Sequence, residues 1–348
     1  MRERLLAVAA LEAVQWRDEA LYLLDLRSLP NETHWHCCQT VADVAEAIRL
    51  SVVQGASAVA ISAAYGLVLG LKQHLAQDGW RAAVEEDYET LVHAHPTSIN
   101  LIWALNQMID CMDALEDDQD IYSALLQMAR HIQESDREAN VAMAELGAEL
   151  ILEHLDEPQA LLTHGLTGAL ATAGVGSGLG VVHALAVAKK LTHVYVTEGL
   201  PIGSGKLNAW ELTQGQIDTK LCSDSAVAHL LKTQAITWVV VGADCISANG
   251  DVLGALGTYQ LAINAMHHGV RVMVVAPTSS IDLASPSVED LALDDVADAE
   301  LEMAVQASGA WVDVTPADLI DYLVTEKGII GRPNREKIAQ LMCRKRLH

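Results

Sequence analysis

The feature that most constrains the fold is an alternation of short apolar runs with helical segments in the second half of the chain. The runs read ALLTH near residue 160, HVYVTE near 193, TKLCSD near 219, TWVVVGAD near 237 and RVMVVAPTS near 271. Short apolar runs separated by helix-forming stretches are typical of parallel strands joined by crossover helices. The sequence therefore predicts an α/β protein built on a parallel sheet.

The first third of the chain has helical periodicity instead. The segment VADVAEAIRLSVVQ, residues 41–54, repeats apolar residues at spacings of three and four, which predicts an amphipathic helix through the whole segment. The acidic run DALEDDQD, residues 113–120, is typical of a solvated linker, and a long helical pattern follows over residues 125–155. We therefore predict a smaller, mainly helical N-terminal domain over residues 1–117 and a sheet domain over residues 118–348.

Length and charge limit the classes of partner. The chain has 348 residues, 51% of them hydrophobic, and a formal net charge of −24. It is long enough for two domains, because single cores stop growing at roughly 250 to 300 residues. Nucleic acids and anionic membrane surfaces attract concentrated Lys and Arg. We therefore expect neither as a partner, and we interpret the basic residues 344–346 as a solvated tail.

The six cysteines are scattered without a repeated spacing, and the N-terminal residues do not have the pattern of a secretory signal. We therefore expect a cytoplasmic protein with reduced thiols. Two uncharged stretches, residues 50–71 and 159–188, are long enough to be read as membrane spans by hydropathy alone. Both are interrupted by Gly, Ser, Thr or Gln, so we interpret them as buried helices with tight turns.

A glycine-rich segment without charge, LLTHGLTGALATAGVGSGLGVV at residues 161–182, follows the first predicted strand of the sheet. Glycine allows close backbone approach and positive φ, so such a segment can cradle a phosphate with backbone N–H groups. Ligands of open α/β sheets bind beyond the carboxyl ends of the strands. The residues at those ends are therefore candidates for a binding site: Thr163 to Thr167, Glu198, Asp224, Asp244 and Thr278.

Asp244 and Cys245 follow the apolar run WVVVGA. The sequence allows two roles for each of these residues. The apolar surroundings of Asp244 could raise its pKa and make it a proton carrier, or the residue could cap the following turn. Cys245 could be a nucleophile or a core residue. Of the remaining candidates, we interpret His164 as a hydrogen-bonded structural histidine, and Trp210 with Glu211 as support for the fold.

The segment THWHCC contains the candidate metal ligands of the chain. In an extended conformation, His34, His36 and Cys38 share one face, and all three are residue types that bind zinc. A fourth ligand is not evident in the sequence. We therefore predict no metal site and no cofactor.

Seven blocks of sequence resemble one known family. The chain resembles the 5-methylthioribose-1-phosphate isomerase family, which includes ribose-1,5-bisphosphate isomerases and is related to the regulatory subunits of the eukaryotic initiation-factor exchange complex. The resemblance implies a Rossmann-like C-terminal domain, a small helical N-terminal domain, a cleft between them and a homodimer. The blocks are VVQGASAVAISAAYG, HPTSINLIWALNQM, LLTHGLTGALATAGVGSGLGVV, LNAWELTQ, VVVGADCISANGDVLGALGTYQLA, VAPTSSIDL and DVTPADLIDYLVTEKGII.

The resemblance also implies the residues of the site. It gives Asp244 a catalytic role, and it gives substrate-binding roles to Gln54, Gly55, Ala56, His95, Gly165, Gly254 and Ala255. Several of these residues depart from the family pattern. The family has Arg at Gln54 and at His95, Cys at Gly165, and Asn-Lys at Gly254 and Ala255. The family strip Glu-Thr-Arg-Pro-Arg-Leu-Gln-Gly is EGLPIGSG here, at residues 198–205.

These departures decide the function that we expect. Family members convert an aldose 1-phosphate into a ketose phosphate with one Cys and one Asp, and a phosphate without nearby cations is bound weakly. We therefore expect a diverged homologue that does not catalyse the standard isomerisation. It would bind a small sugar-like or nucleoside-like ligand, pair with a second copy or a complete paralogue, or catalyse an altered reaction. The alternative is an active methylthioribose-1-phosphate isomerase of methionine salvage that uses Asp244.

Overall fold

The structure is a computed structural model that describes residues 2–9, 11–115, 120–199, 203–287 and 312–344. Residues 116–119 of the predicted linker lie outside the described residues. So do residues 200–202 of the strip EGLPIGSG, and residues 345 and 346 of the predicted basic tail.

Eleven helices lie within the described residues. They are α1 (Arg2–Val8), α2 (Val41–Arg49), α3 (Ala56–His74), α4 (Trp80–Ala94), α5 (Ile99–Asp113), α6 (Ile121–His154), α7 (Gly178–Val187), α8 (Ser204–Gln214), α9 (Val227–Thr233), α10 (Thr258–His268) and α11 (Arg335–Met342).

Fourteen strands lie within the same described ranges. They are β1 (Val14–Arg17), β2 (Ala20–Leu24), β3 (Trp35–Cys38), β4 (Gln159–His164), β5 (Leu191–Thr197), β6 (Thr219–Cys222), β7 (Ile236–Val241), β8 (Cys245–Ser247), β9 (Val252–Ala255), β10 (Arg271–Val275), β11 (Ile281–Asp282), β12 (Val312–Thr315), β13 (Tyr322–Thr325) and β14 (Gly328–Gly331).

A seven-stranded sheet forms the centre of the C-terminal part. Its order is β14-β13-β10-β7-β4-β5-β6, and every neighbouring pair is parallel except β13 with β14. β4 lies between β5 and β7, and every residue of β4 is buried because apolar clusters cover both faces of the sheet, with Leu161 in one cluster and Leu162 in the other. The predicted α/β class with a parallel sheet is confirmed, and β4, β5, β6, β7 and β10 are the five strands that the apolar runs predicted.

The N-terminal part contains helices α1 to α5 and a three-stranded antiparallel sheet, β1-β2-β3. Helix α3 is at its centre, with residues 57–71 all buried. By length and composition, α3 is the one helix among the described residues that could cross a membrane. A buried core helix passes the same test, and 83% of its most apolar window is buried inside the protein.

Helix α2 is shorter than its periodicity predicted. It ends at Arg49, and Ser51 adopts a left-handed conformation with φ +56° that turns the chain. The N–H of Val52 then donates to the carbonyl of Ala47 at 2.9 Å, and Val52 is buried although it is outside the helix. Apolar spacing alone could not locate this end, because the residues after the turn also face the core.

The 34-residue helix α6 contacts both parts of the molecule. It packs on α3 and α5 of the N-terminal part and on α7 and β13 of the C-terminal part. The predicted boundary between residues 117 and 118 lies just before this helix and stays a prediction.

We expect Gly147→Leu to lower the stability by about 2 kcal/mol, because small-to-large substitutions in a packed core force side chains and backbone to move. A Cβ atom at Gly147 of α6 would be 2.6 Å from Cγ2 of Val181 in α7. The loss should appear as a lower unfolding midpoint in a thermal melt. Glu149→Leu, at an exposed position of the same helix, is the control. Equal midpoints for the two variants would contradict this packing.

Candidate functional site

The candidate site begins at the carboxyl end of β4, where His164 joins two neighbouring segments. Its Nδ1 is 2.6 Å from Thr197 Oγ1 at the end of β5. Its Nε2 is 3.0 Å from the carbonyl oxygen of Leu256. A carbonyl can only accept, so Nε2 carries a hydrogen. Both ring nitrogens are engaged, in agreement with the expectation of a structural histidine.

Gly165 follows His164 and is adjacent to Ala255, another predicted site residue. Gly165 has φ +73°, a left-handed conformation that glycine adopts at little cost. A Cβ atom at this position would be 3.1 Å from Cβ of Ala255. The carbonyl oxygen of Gly165 accepts a hydrogen bond from Asn208 Nδ2 of α8. The structure therefore brings Gly165 and Ala255 together, although 90 residues separate them in sequence.

Asp244 follows β7 and is attached to the strand that contains Gly254 and Ala255. Its backbone N–H donates to the carbonyl oxygen of Leu253 at 2.9 Å. The side chain is exposed, but the surrounding protein limits its hydration and raises its pKa to about 6. This direction of the pKa agrees with the proton-carrier alternative from the sequence.

The turn Gln54–Gly55–Ala56 packs on the glycine-rich loop that follows β4. Gly55 has φ +92° and precedes the first residue of α3. A Cβ atom at Gly55 would be 2.4 Å from Cβ of Ala171 in that loop. No side chain fits in this space, so only glycine lets the turn approach the loop this closely.

His95 is the first residue after α4, and its hydrogen bonds go to neighbouring residues of the same turn. Its N–H donates to the carbonyl of Val92, and its Nδ1 is 3.4 Å from Thr97 Oγ1. The ring is exposed to solvent, yet loss of hydration lowers its pKa below the usual value. A histidine with a lowered pKa is neutral at pH 7, so His95 does not supply the positive charge of the arginine that the family pattern has at this position.

Asp313 of β12 is a residue of this region that was not predicted from the sequence. Its carboxylate accepts from the N–H of Gly257 at 2.7 Å and from the N–H of Tyr259, and so caps the start of α10. Burial raises the pKa of Asp313. A Cβ atom at Gly257 would be 3.1 Å from the His164 ring, so this cap adjoins the end of β4. The cap links residues 56 positions apart, and no local pattern reveals it.

Three glycines of the loop after β4 pack closely against other residues of the protein. A Cβ atom at Gly168 would be 2.2 Å from Glu211 Oε2. A Cβ atom at Gly176 would be 2.6 Å from the Gly168 backbone, and one at Gly178 would be 3.1 Å from the Thr167 side chain. These glycines allow the loop to fold on itself and on α8. The phosphate cradle predicted for this segment stays a prediction.

The other residues proposed from the sequence as nucleophile, metal ligand or site residue are buried or hold a turn. Cys245 is buried, and burial raises the pKa of its thiol to about 12, which disfavours the nucleophilic thiolate. Cys38 is also buried with a thiol pKa of about 12, and no group of three metal-binding side chains forms within the described ranges. Asp224 accepts from the N–H of Gly199 and fixes the turn after β5.

A cavity of about 320 Å³ lies between α3, α5 and α6 on one side and the ends of β10 and β13 on the other. Ser57, Asn100, Thr278 and Lys327 contribute to its polar lining. None of the eight residues to which the family resemblance gives site roles lines it, but Thr278, a candidate from its position after a strand, does.

A buried strand that ends in a glycine-rich loop, with an exposed carboxyl group after the neighbouring strand, is the arrangement of an α/β protein, and it makes this edge of the sheet the candidate site. The sequence matches the Initiation factor 2 subunit family over residues 52–332. The chain belongs to this family. Its relatives include a methylthioribose-1-phosphate isomerase of Pseudomonas putida (strain GB-1), 52% identical, and one of Pseudomonas aeruginosa (strain UCBPP-PA14), 51% identical. Each match covers 100% of both chains.

Solved structures agree with this assignment. The 5-methylthioribose 1-phosphate isomerase of Pyrococcus horikoshii OT3 is similar with a TM-score of 0.86 and 30% identity, over 96% of this chain and 97% of that chain. The translation initiation factor eIF-2B subunit delta of A. fulgidus is similar with a TM-score of 0.80 and 28% identity, over 95% and 99%. The similarities to named isomerases favour the isomerase alternative and give no support to the expectation of an inactive homologue.

We expect Asp244→Asn to raise the unfolding midpoint at pH 8 and to leave it unchanged below pH 4. Because the pKa of Asp244 is raised to about 6, ionisation destabilises the folded protein as the pH rises from about 4 to above 6. The gain at pH 8 should be about 1 kcal/mol, since solvent screens an exposed group. Melts from pH 4 to pH 8 measure it.

The control for this experiment is Asp321→Asn. The carboxylate of Asp321 accepts from the N–H of Val272 at 2.8 Å, so its removal should lower the midpoint at pH 8. A lower midpoint for Asp244→Asn at pH 8 would contradict the raised pKa.

Proposed function

We propose that this chain is an aldose–ketose isomerase that acts on a phosphorylated methylthioribose and uses Asp244 for proton transfer. The observation that carries the proposal is the Asp244 carboxyl group, which is exposed and has a pKa of about 6. A carboxyl group that titrates near neutral pH can both take a proton and return it. The names of the relatives at 52% and 51% identity support the substrate class.

The reaction transfers hydrogen from one sugar carbon to its neighbour. The ring C–O bond at the phosphorylated carbon breaks, and its oxygen takes up a proton. A base removes the proton from the neighbouring carbon, whose hydroxyl loses its own proton as it becomes the carbonyl, and an acid delivers a proton to the phosphorylated carbon. The family pattern divides this work between a Cys and an Asp, but Gly165 has no side chain. Asp244 therefore performs both steps in turn. A positioned acid or base contributes about 10² to 10⁴ in rate, so we expect turnover to be slower by about that factor than with both groups.

The phosphate is proposed to bind at the start of α3. None of the predicted binding residues is a cation at pH 7, because the pKa of His95 is lowered. Helix α3 begins after Gly55 without a side-chain cap. Uncapped N–H groups at a helix start, together with the helix dipole, favour an anion. By contrast, Asp313 already occupies the corresponding groups of α10.

A second candidate function is binding without turnover. Gly165 provides no acid, and the buried thiol of Cys245, with its pKa of about 12, does not replace one. In that case the missing cations favour an unphosphorylated sugar or nucleoside-like ligand. A thermal-shift series with phosphorylated and unphosphorylated sugars distinguishes the two candidates, because a ligand that binds the folded state raises the unfolding midpoint.

We expect Gly165→Cys to increase turnover of methylthioribose 1-phosphate at least tenfold over Gly165→Ala. Both variants add a Cβ atom against Ala255 and share the strain of φ +73°, so they differ only in the thiol. The thiol would supply the second proton-transfer group. Steady-state kcat/KM of the wild type, both variants and Asp244→Asn measures the effect.

The Asp244→Asn variant should lose turnover by a factor of about 10² or more. Equal rates for Gly165→Cys and Gly165→Ala would contradict the assignment of position 165. Turnover by Asp244→Asn at the wild-type rate would remove the proposed role of Asp244. Stabilisation by unphosphorylated sugars alone would select the second candidate.

We also retain as proposals a cytoplasmic location and a homodimer. A homodimer needs an accessible apolar surface, and helix α10 offers one. Tyr259, Ile263 and Met266 are exposed at spacings of four and three on this helix, with Met266 61% exposed. Apolar side chains at this spacing form one stripe along a helix. We propose that this stripe contacts the second copy.

We expect the double variant Ile263→Glu, Met266→Glu to be monomeric, because association would bury two charges without partners. Sedimentation should give the wild type about twice the chain mass of 37.4 kDa and the variant the single mass. Leu50→Glu, at a position that is 51% exposed after α2, is the control and should remain dimeric. A monomeric wild type would contradict the proposal, as would a dimeric double variant.

A further inference from the structure

The side chain of Glu211 in α8 contacts the loop that follows β4. Its side chain is 4% exposed. Oε1 accepts from the N–H of Ala169 at 2.8 Å, and Oε2 accepts from the N–H of Leu170 at 3.3 Å. Buried backbone N–H groups need acceptors, and this loop is outside the sheet. Residues 169–171 form one 3-10 turn, and the first N–H groups of such a turn have no partner within it. Glu211 therefore supplies their acceptors.

The contact between Glu211 and this loop is too close for any side chain at Gly168. A Cβ atom there would be 2.2 Å from Oε2 and 2.5 Å from the carboxyl carbon of Glu211. Gly168 has φ −99°, which other residues also adopt. The requirement for glycine therefore comes from the space that the carboxylate occupies and not from the backbone angle.

The opposite side of the loop supports the predicted substrate-binding turn. Ala171 lies two residues after Ala169, and Gly55 packs against the Cβ atom of Ala171. A continuous series of contacts thus runs from Glu211 through residues 169–171 to Gly55 and the first turn of α3. Movement of the carboxylate would move the loop and, with it, this turn.

The imidazole of His183 borders the carboxylate of Glu211 on a further side. His183 is 1% exposed, and its Nε2 is 3.7 Å from Oε1 of Glu211. Among the described residues, neither ring nitrogen has a hydrogen-bond partner. The ring therefore fills the space beside the carboxylate without competing for the N–H groups of Ala169 and Leu170.

We propose that Glu211 is a positioning residue that holds the loop 168–171, and through it the turn Gln54–Ala56, in the geometry that binds the ligand. This inference rests on the proposed function only for the identity of the ligand. The position of the loop itself is measurable without any ligand.

Hydrogen exchange of the ligand-free protein provides the first test. In Glu211→Gln and Glu211→Ala, the N–H groups of Ala169 and Leu170 should exchange at least tenfold faster, because one or both acceptors are lost. The start of α3 should also exchange faster, since Ala171 supports it. Asp321→Asn removes a similar carboxylate-to-backbone contact with Val272 and should leave both segments unchanged. If Glu211→Ala does not fold, Glu211→Gln carries the test.

A double-mutant cycle tests the contact with Gly168. Gly168→Ala alone should displace the carboxylate and accelerate exchange at Ala169 as Glu211→Ala does. In the Glu211→Ala background the same substitution should add little, because the obstructing oxygen is gone. If the effects of the two substitutions on exchange were strictly additive, they would contradict a direct contact between Gly168 and Glu211. Unchanged exchange at residues 169–170 in both Glu211 variants would overturn the inference, as would equally faster exchange throughout the sheet.

The ligand provides the final measurement. In Glu211→Gln, KM for methylthioribose 1-phosphate should rise about tenfold or more with a smaller change in kcat, because the buried Glu211 acts through the loop and the turn. A fall in kcat alone would contradict a positioning role. If the wild type does not turn over this substrate, the proposed function fails, while the exchange result decides the inference separately.

Discussion

The structure depends on close backbone packing at the carboxyl end of β4. The loop after this strand approaches Glu211 at Gly168, its own backbone at Gly176, and Gly55 at Ala171. Each of these approaches leaves no space for a Cβ atom at the glycine, so a larger residue would force two elements apart. The packing of this loop therefore sets the distances between β4, α3 and α8. The candidate site residues Gln54, Gly55 and Ala56 depend on those distances.

The electrostatics of the site follow from this arrangement. The chain has a formal charge of −24, and the predicted site adds a carboxyl group while its histidine, His95, is neutral at pH 7. Protein around Asp244 raises its pKa to about 6, which suits proton transfer better than the attraction of a cation. Binding of an anion must then rely on backbone N–H groups, and the start of α3 has no side-chain cap. The same region that the loop positions is therefore the region on which phosphate binding would depend.

The sequence predicts the fold to a useful level because the strongest signals are local. The five apolar runs predicted β4, β5, β6, β7 and β10. Burial on both faces requires continuous apolar residues in central strands such as β4 and β7, whereas β6 lies at the edge of the sheet and is partly exposed. The family resemblance selected Gly165 and Ala255, which the structure brings together. The end of α2 could not be predicted, because Val52 remains apolar after the helix has stopped. The carboxylates of Glu211 and Asp313 bond to backbone groups 42 and 56 residues away, and such contacts leave no periodic pattern in the sequence.

The central claim is that the carboxyl group of Asp244 transfers a proton between two carbons of a bound sugar. Incubation of the wild type and Asp244→Asn with methylthioribose 1-phosphate in D2O, followed by proton NMR, tests this claim most directly. Because the exposed Asp244 carboxyl group exchanges its proton with D2O between the two steps, the account predicts ketose product from the wild type with deuterium at the carbon that receives the proton. The variant should form no product at a comparable rate. Equal product formation by both proteins would contradict the account, as would a wild type that binds the sugar and leaves it unchanged.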